Sequence, residues 1–456
     1  MHHLIKAVLR LFWVLTAGRV RSSRQVEGNA ATMNTPEKLW WAYKFYIQPA
    51  TEPQSGHNIR AYFAEHRFDE GWQQQQEGGS EQNPPLSPTL TLALAGDILP
   101  SPNLHTGSAT HFFDEIADFY LSADLRYANL ESPVVADQPV CWPGENIISP
   151  PRMNNSPEVF ELIHRQGRGV NVFSTANNHA LDQGVEGLMT TLDYLDSQNV
   201  VYVGTSRSVA ERDDIPVTEV NGVRVAWLSY TFSLNREKLP EGREYLVNLL
   251  PLNLPDCDIT PIIEQVRHAR EQKGAHVVVA CLHWSLEYES FPLASLMQLG
   301  HRIVEAGVDI IAGNHPHGLQ PAERYTYTTP TGQVRSGLIT YALGDLVSDT
   351  PQLNFSALTG VCRIGLTRFA DSDDVTISSV EFKPLYAYRR YDEQGRCTDL
   401  RLLDFRRLQQ GITENQYSLL LDSRQKKEVR RLTRVLDDLD RRGDGATVPH
   451  DDTFPM

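Results

Sequence analysis

The chain has 456 residues, a formal charge of -15, and hydrophobic and charged shares of 41% and 22%. These values are ordinary for a soluble globular protein, and the length suits one large α/β domain with extensions, or two domains. The negative charge argues against nucleic-acid binding, which needs a basic surface. The five cysteines are scattered and never form a Cys-x-x-Cys pair, so neither a disulfide framework nor a cysteine zinc site is predicted.

The first 87 residues are predicted to form an N-terminal leader and a flexible linker. Lys6 and Arg10 precede an apolar run at residues 11–17, which is too short to span a bilayer and lacks a clean cleavage site. We therefore expect a cytoplasmic protein without membrane contact. Residues 36–69 are rich in aromatic side chains and predict helices. Residues 73–85 are rich in Gln, Gly, Ser and Pro, which is typical of a flexible linker.

Residues 88–390 alternate apolar runs with helical patterns, which predicts a βαβ-built sheet and an α/β domain. The predicted strands cover residues 90–95, 169–175, 200–203, 223–230, 276–282, 308–311, 338–343 and 375–388. Helices are predicted around Leu188, around Val266 and over residues 293–306, where apolar residues recur on one face. The last segment, residues 391–456, is predicted to be a helical extension with a helix pair at residues 413–440.

Five apolar runs are followed directly by polar residues that can bind a metal. Their polar residues are Asp97; Asn129 and Glu131; Asn177, Asn178, His179 and Asp182; His283 and Glu287; and His315 and His317. Because ligands collect at the carboxyl ends of the strands of α/β sheets, we expect these side chains to converge. Such a mixture of oxygen and nitrogen ligands suits Zn²⁺, Mn²⁺ or Fe²⁺ better than Ca²⁺.

Each of these residues also has an ordinary structural explanation. Asp97 can end a turn, Glu131 can be a solvated loop acid, and His283 can be a hydrogen-bonded core histidine. His315 and His317 are more informative, since Gly313 permits a sharp turn and Pro316 restricts the loop that carries them. The agreement of five strand ends favours a metal site over five separate explanations.

The same residues resemble the CapA family, the capsule or poly-γ-glutamate synthesis proteins, over residues 90–349. The matching blocks are Gly96-Asp97, Asn129-Leu130-Glu131, Ala176-Asn177-Asn178-His179, His283-Trp284, Gly313-Asn314-His315-Pro316-His317 and Tyr341-Ala342-Leu343-Gly344. The resemblance implies a four-layer α/β sandwich related to the calcineurin-like metallophosphoesterases. It also implies one or two divalent metal ions, for which Mn, Zn and Fe remain open.

The resemblance implies a role for individual residues. The metal ligands would be Asp97, Glu131, Asn178, His283, His315 and His317, with Glu131 as the bridge between two metals. His179 would be the general acid. Residues that would support the ligands or touch substrate are Asn177, Asp182, Trp284, Glu287 and Tyr288. Glu287 would orient His283, and Trp284 with Tyr288 would either wall off water or simply pack in the core.

Several positions depart from the expected patterns. The phosphoesterases have a histidine two residues after the first aspartate, where this chain has Leu99, so one metal site lacks a ligand. Ser285, Asp345 and Leu346 replace the Gly, Asn and Phe of the CapA pattern. These departures leave the substrate more open than the metal.

The predicted function is a metal-dependent hydrolase of a phosphoester or a γ-glutamyl or amide bond, associated with capsule or poly-γ-glutamate metabolism. Its substrate would be an anionic small molecule or polymer. One alternative is a non-catalytic assembly factor for the polymer. Another is a lipid- or partner-binding protein that acts through the aromatic leader, in which case removing the leader would leave hydrolysis intact. The oligomeric state is left open.

Overall fold

A computed structural model describes residues 2–16, 33–47, 49–66, 89–140, 152–348, 356–369, 374–413 and 420–440. The linker predicted at residues 73–85 lies outside these residues. The α-helices in the described part of the chain are α1 (His2–Thr16), α2 (Thr35–Tyr46), α3 (Ile59–His66), α4 (Pro157–His164), α5 (Gly184–Ser197), α6 (Val209–Asp213), α7 (Thr260–Glu271), α8 (Ala294–Glu305), α9 (Phe405–Thr413) and α10 (Ser423–Asp440).

Fourteen strands in the same residues form two sheets. The strands are β1 (Leu90–Ile98), β2 (Leu125–Leu130), β3 (Val172–Ser174), β4 (Val201–Val203), β5 (Val217–Val220), β6 (Val223–Thr231), β7 (Val277–His283), β8 (Ile310–Asn314), β9 (Ala322–Thr328), β10 (Val334–Thr340), β11 (Asp345–Val347), β12 (Leu358–Arg368), β13 (Val375–Tyr391) and β14 (Cys397–Asp404).

The first sheet has the order β14-β13-β12-β1-β2-β3-β4, with β11 also paired to β1, and the second has the order β5-β6-β7-β8-β10-β9. In the first sheet β1 to β4 are parallel, and in the second β6, β7, β8 and β10 are parallel. The central strands of both sheets are buried on both faces, which explains why they read as continuous apolar runs.

The core is divided into layers by the two sheets. Leu92 and Tyr127 of the first sheet pack against Trp227 and Val279 of the second in one buried cluster. A second cluster joins the outer face of the first sheet to α4 and α5, and a third joins the other sheet to α7 and α8. The order of layers is helix, sheet, sheet, helix, so the predicted four-layer α/β sandwich is confirmed.

The regions outside the central domain include an element that the sequence pattern did not indicate. The range 391–456 was predicted to be helical, but β14 (Cys397–Asp404) pairs with β13 and extends the first sheet before α9 and α10 begin. In this short strand charged residues interrupt the apolar ones, so the sequence shows no continuous apolar run that would predict a strand. Helix α10 packs through Val429, Leu432 and Leu436 against the cluster that contains Leu319.

The second helix of the leader, α2, is well capped at its start. Asn34 accepts a hydrogen bond from Glu37 N at 3.0 Å, and Glu37 accepts one from Asn34 N at 2.7 Å, so α2 starts with a capping box. Pro36 occupies the first turn, where its missing N–H is not needed. None of the described helices is both long enough and apolar enough to cross a bilayer.

Candidate metal centre

The candidate site lies where the carboxyl ends of the parallel strands of both sheets meet. Asp97, near the end of β1, is opposite Asn129 of β2 and opposite Asp345 at the start of β11. In the second sheet, His283 ends β7 and is opposite Asn314, the last residue of β8. Strand register therefore brings residues from distant parts of the sequence to one edge, as the strand-end pattern predicts.

Glu131 lies at the centre of this cluster and is fully buried. Neither of its carboxylate oxygens has a hydrogen-bond partner among the described residues. Its Oε1 is 3.4 Å from His283 Nε2 and 3.9 Å from His317 Nε2. Burial, together with the nearby charge of Asp97, raises the pKa of Glu131 well above its usual value. A buried carboxylate without partners is costly, unless a cation binds it.

One side of the cluster consists of imidazole and amide groups. His283 Nε2 is 2.9 Å from Asn178 Oδ1, and its Nδ1 is 3.3 Å from Asn129 Nδ2. His315 is fully buried, and neither ring nitrogen has a hydrogen-bond partner in the described residues. Burial lowers the pKa of both His283 and His315 well below the usual value. These rings are therefore neutral, the form that binds metals.

The other side of the cluster is rich in carboxylates. His317 Nδ1 is 2.9 Å from Asp345 Oδ1 and 3.7 Å from Asp97 Oδ2. Burial opposes a charge on His317, but Glu131 and Asp345 outweigh it and hold the pKa of His317 well above its usual value. Burial raises the pKa of Asp97 to about 6, an effect that His317 opposes and Asp345 reinforces. On this side of the cluster, the positive charge of His317 therefore balances part of the negative charge of the carboxylates.

The loop after β8 holds its two histidines in an uncommon backbone conformation. His315 has φ 100° and His317 has φ 56°, on either side of Pro316. Non-glycine residues in this region are strained, and such strain is concentrated at functional sites. Gly313 serves a different purpose from the predicted turn, because a Cβ there would lie 2.0 Å from Tyr341 O. The glycine permits close strand packing, while the histidines themselves make the turn.

His179 lies in the loop after β3 and is paired with a carboxylate. Its Nδ1 is 2.6 Å from Asp182 Oδ2, and Asp182 also accepts a hydrogen bond from Met153 N at 2.7 Å. The other ring nitrogen, Nε2, is 3.5 Å from Asn235 Nδ2. Asn177 supports this loop by donating to Leu130 O at 2.7 Å and accepting from His179 N at 3.1 Å.

The donor set fits a divalent cation. Three groups of ligand atoms each lie within 4.8 Å of one another: Glu131 with His315 and His317; Asp97 with His317 and Asp345; and Asp97 with Glu131 and His283. Overlap of these groups at Glu131, Asp97 and His317 is compatible with one ion or two. The mixture of carboxylate and imidazole, together with the unsatisfied atoms of Glu131 and His315, matches Mn²⁺, Zn²⁺ or Fe²⁺.

Of the supporting residues, Trp284 follows the core-packing alternative, whereas Glu287 does not have the neighbour predicted for it. Trp284 is buried against Tyr341 and donates to its carbonyl oxygen at 3.1 Å, so its contacts are those of the core. Glu287 was expected to orient His283, but its Oε1 is 3.8 Å from His317 Nε2 instead. Tyr288 lies over the ring of His317, with centroids 5.8 Å apart.

Two members of the cluster had no role assigned to them from the sequence, although Asn129 was among the strand-end residues expected to converge. Asn129 donates to Asp97 Oδ1 at 2.7 Å and thereby fixes that carboxylate. Asp345 was noted only as a departure from the CapA pattern, although it is buried beside Asp97 and His317. The signal that points to both residues is strand pairing with Asp97, which the sequence alone does not display.

The aromatic leader contacts the loop that borders the site. Trp41 of α2 donates from its indole nitrogen to Glu287 Oε2. Lys44 is fully buried and its Nζ is 3.0 Å from Glu289 Oε1. The Tyr288 ring packs against Phe45 with centroids 5.5 Å apart. Helix α2 is therefore part of the wall around His317 rather than a separate module.

Comparison with solved structures and curated proteins gives several relatives. The fold resembles a novel phosphatase from Mycoplasma pneumoniae at 11% identity and a TM-score of 0.37, covering 66% of this chain and 95% of that one. The PGA biosynthesis protein CapA of Bacillus subtilis is 29% identical over 242 residues, which cover 53% of this chain and 57% of that protein. The capsule biosynthesis protein CapA of Bacillus anthracis is 27% identical over 268 residues, or 57% of this chain and 60% of that protein.

The family assignment rests on the central domain. The match to the bacterial capsule synthesis protein family PGA_cap covers residues 91–350, more than half of the chain, and includes every residue of the candidate metal centre. The predicted resemblance to the CapA family is confirmed. This chain belongs to the PGA_cap family of bacterial capsule synthesis proteins.

Proposed function

We propose that this protein is a metal-dependent hydrolase that acts on a phosphoester or a γ-glutamyl or amide bond in capsule or poly-γ-glutamate metabolism. The observation that carries the proposal is the buried Glu131 carboxylate, whose two unsatisfied oxygens face a ring of metal-binding side chains. A bound divalent cation would stabilise developing negative charge and acidify a water molecule. The names of the two CapA relatives support the link to capsule and poly-γ-glutamate.

Some residues of this chain would bind the cation, and others would transfer a proton. Asp97, Glu131, Asn178, His283, His315 and His317 would hold the cation. The contact between Asp182 Oδ2 and His179 Nδ1 would orient the ring, so that Nε2 would be the nitrogen that donates a proton to the leaving group. Such general acid catalysis contributes about two to four orders of magnitude in rate.

The test uses the full chain, stripped of metal and then loaded with Mn²⁺ or Zn²⁺. Turnover would be measured on phosphomonoesters, phosphodiesters and γ-glutamyl peptides. His179→Asn should reduce turnover by roughly a hundredfold or more while metal content stays at the wild-type level, as expected for a proton donor. His317→Ala should lower both quantities.

Two results would contradict the proposal in different ways. Uptake of no metal by the wild type would remove the basis of the mechanism. Normal metal uptake without turnover on any of these classes, together with metal-dependent retention of poly-γ-glutamate in a pull-down, would identify a non-catalytic assembly factor instead.

A further inference from the structure

We infer that Asp345 is a direct cation ligand, and that Asp97, His317 and Asp345 form the second of two cation sites in this protein. The inference rests on the proposed metal-dependent function and extends it to a residue that neither the family pattern nor the strand-end pattern indicated. It arises from the position of Asp345, from its unsatisfied oxygen and from its nearest charged neighbour.

The position of Asp345 is set by the backbone. Strand β11 runs parallel to the end of β1 and places Asp345 opposite Asp97. Leu99 N donates to Val347 O at 3.0 Å, so β11 lies beside the residue that replaces the expected histidine. The two strands approach very closely, because a Cβ on Gly96 would lie 1.8 Å from Gly344 O. Asp345 therefore places a carboxylate opposite Asp97, in the same pair of strand segments that brings Val347 beside Leu99.

Only one oxygen of the Asp345 carboxylate has a hydrogen-bond partner among the described residues. Oδ1 is 2.9 Å from His317 Nδ1, whereas Oδ2 is buried and has no hydrogen-bond partner among the described residues. The whole residue is 1% exposed, so water at the protein surface does not solvate this oxygen. If Asp345 only oriented His317, one oxygen would suffice, and an asparagine would serve as well without the buried charge.

The neighbouring charges also favour a cation. Asp97 and Asp345 are two buried carboxylates on adjacent strands, and their repulsion is costly unless a positive charge lies between them. His317 provides at most one such charge. His317 Nδ1 is 2.9 Å from Asp345 and 3.7 Å from Asp97. One ligand atom from each of Asp97, His317 and Asp345 lies within 4.8 Å of the other two, so small side-chain movements would bring all three within reach of one ion.

The experiment compares two buried carboxylates that each pair with a histidine. Metal-free wild type, Asp345→Asn and Asp182→Asn would be titrated with Mn²⁺, following free Mn²⁺ by electron paramagnetic resonance and bound metal by elemental analysis. Asparagine has nearly the shape of aspartate and still accepts a hydrogen bond. We expect two ions for the wild type and for Asp182→Asn. For Asp345→Asn we expect one ion, with the other site weakened by more than about 100-fold, beyond the usual effect of losing an orienting partner.

Each other result has a definite meaning. Two tightly bound ions in Asp345→Asn would overturn the inference, since the carboxylate charge would be dispensable. A single ion in the wild type would also overturn it, while leaving the proposed hydrolase function in place. No ion in the wild type would overturn both. Urea unfolding of the metal-free proteins checks that each variant is folded, because Asp345→Asn removes both the repulsion with Asp97 and the charged contact with His317.

Discussion

The histidines on the two sides of the buried cluster have pKa values shifted in opposite directions, although His315 and His317 are separated by only one residue. His283 and His315 are fully buried, His283 between Asn178 and Glu131, and burial lowers the pKa of both rings. His317 lies between Asp345 and Glu131, and its pKa is raised. In the metal-free protein one side is therefore neutral with unsatisfied atoms, and the other is charged and partly paired. A cation would therefore bind to the first side directly, whereas at the second side it would have to displace a proton.

Glu131 belongs to both sides, so its replacement should have the largest effect. Glu131→Gln is expected to abolish binding of Mn²⁺ at both sites and to reduce turnover at least about 100-fold, because the ions would lose their shared carboxylate. In the metal-free protein the same change should raise the free energy of unfolding, since the cost of burying this carboxyl group, which its raised pKa reflects, disappears. Urea unfolding with and without Mn²⁺ measures both effects. A loss of stability in both conditions would contradict this account of Glu131.

Replacing His317 and His315 one at a time should show how much each side of the cluster contributes to stability. In metal-free protein, His317→Ala should destabilise the fold by about 3 kcal/mol, because Asp345 and Asp97 lose their positive partner. His315→Ala breaks no hydrogen bond among the described residues and should cost only about 1 kcal/mol, from lost packing. Chemical unfolding gives both values, and the backbone strain cancels because alanine also has a Cβ. Equal losses would show that His317 is not the charged member of the pair.

The pH dependence of the free energy of unfolding should reverse its sign when metal is added. The pKa of Asp97 in the folded metal-free protein is about 6, above the usual 3.8. Protonation therefore favours the folded state, and this contribution is fully present below about pH 4 and is lost as pH rises through 6. Metal binding needs the deprotonated carboxylate, so affinity for Mn²⁺ should fall as pH drops below about 6. Asp97→Asn is the control, because it should remove the Asp97 contribution to the metal-free profile. If Asp97→Asn has the same pH dependence of stability as the metal-free wild type, the raised pKa of Asp97 is contradicted.

The two sides of the cluster also differ in how well the sequence predicts them. Asn178, His283 and His315 follow apolar runs, so their convergence can be read from strand ends and from the resemblance to CapA. Asp345 starts a strand of only three residues after Gly344, and its pairing with Asp97 depends on tertiary structure. The contact between Trp41 and Glu287 joins residues 246 positions apart, and no local pattern encodes it. Local patterns thus predict the ends of buried strands, whereas short strands and docked helices require the fold.

The smallest expected effect concerns α2 of the leader, whose contacts with Glu287 and Tyr288, among the described residues, lie on the charged side. Trp41→Phe keeps the ring but removes the donor to Glu287, which should cost about 1–2 kcal/mol and allow Glu287 to move relative to His317. We therefore expect a two- to threefold weaker affinity for the ion bound by His317, which is roughly 0.5 kcal/mol, and no change at the ion bound by His283 and His315.

Trp40→Phe is the matched control for this leader variant. Trp40 stacks on Tyr43 in the same helix and belongs to the leader cluster, so its replacement also perturbs the packing of α2. A Mn²⁺ titration of both variants separates the two causes. If only Trp41→Phe changes the affinity, the indole hydrogen bond transmits the effect, and removal of the leader should impair hydrolysis. If both variants change it equally, the packing of α2 is responsible. If neither does, the leader is independent of the metal centre, as the sequence pattern alone would indicate.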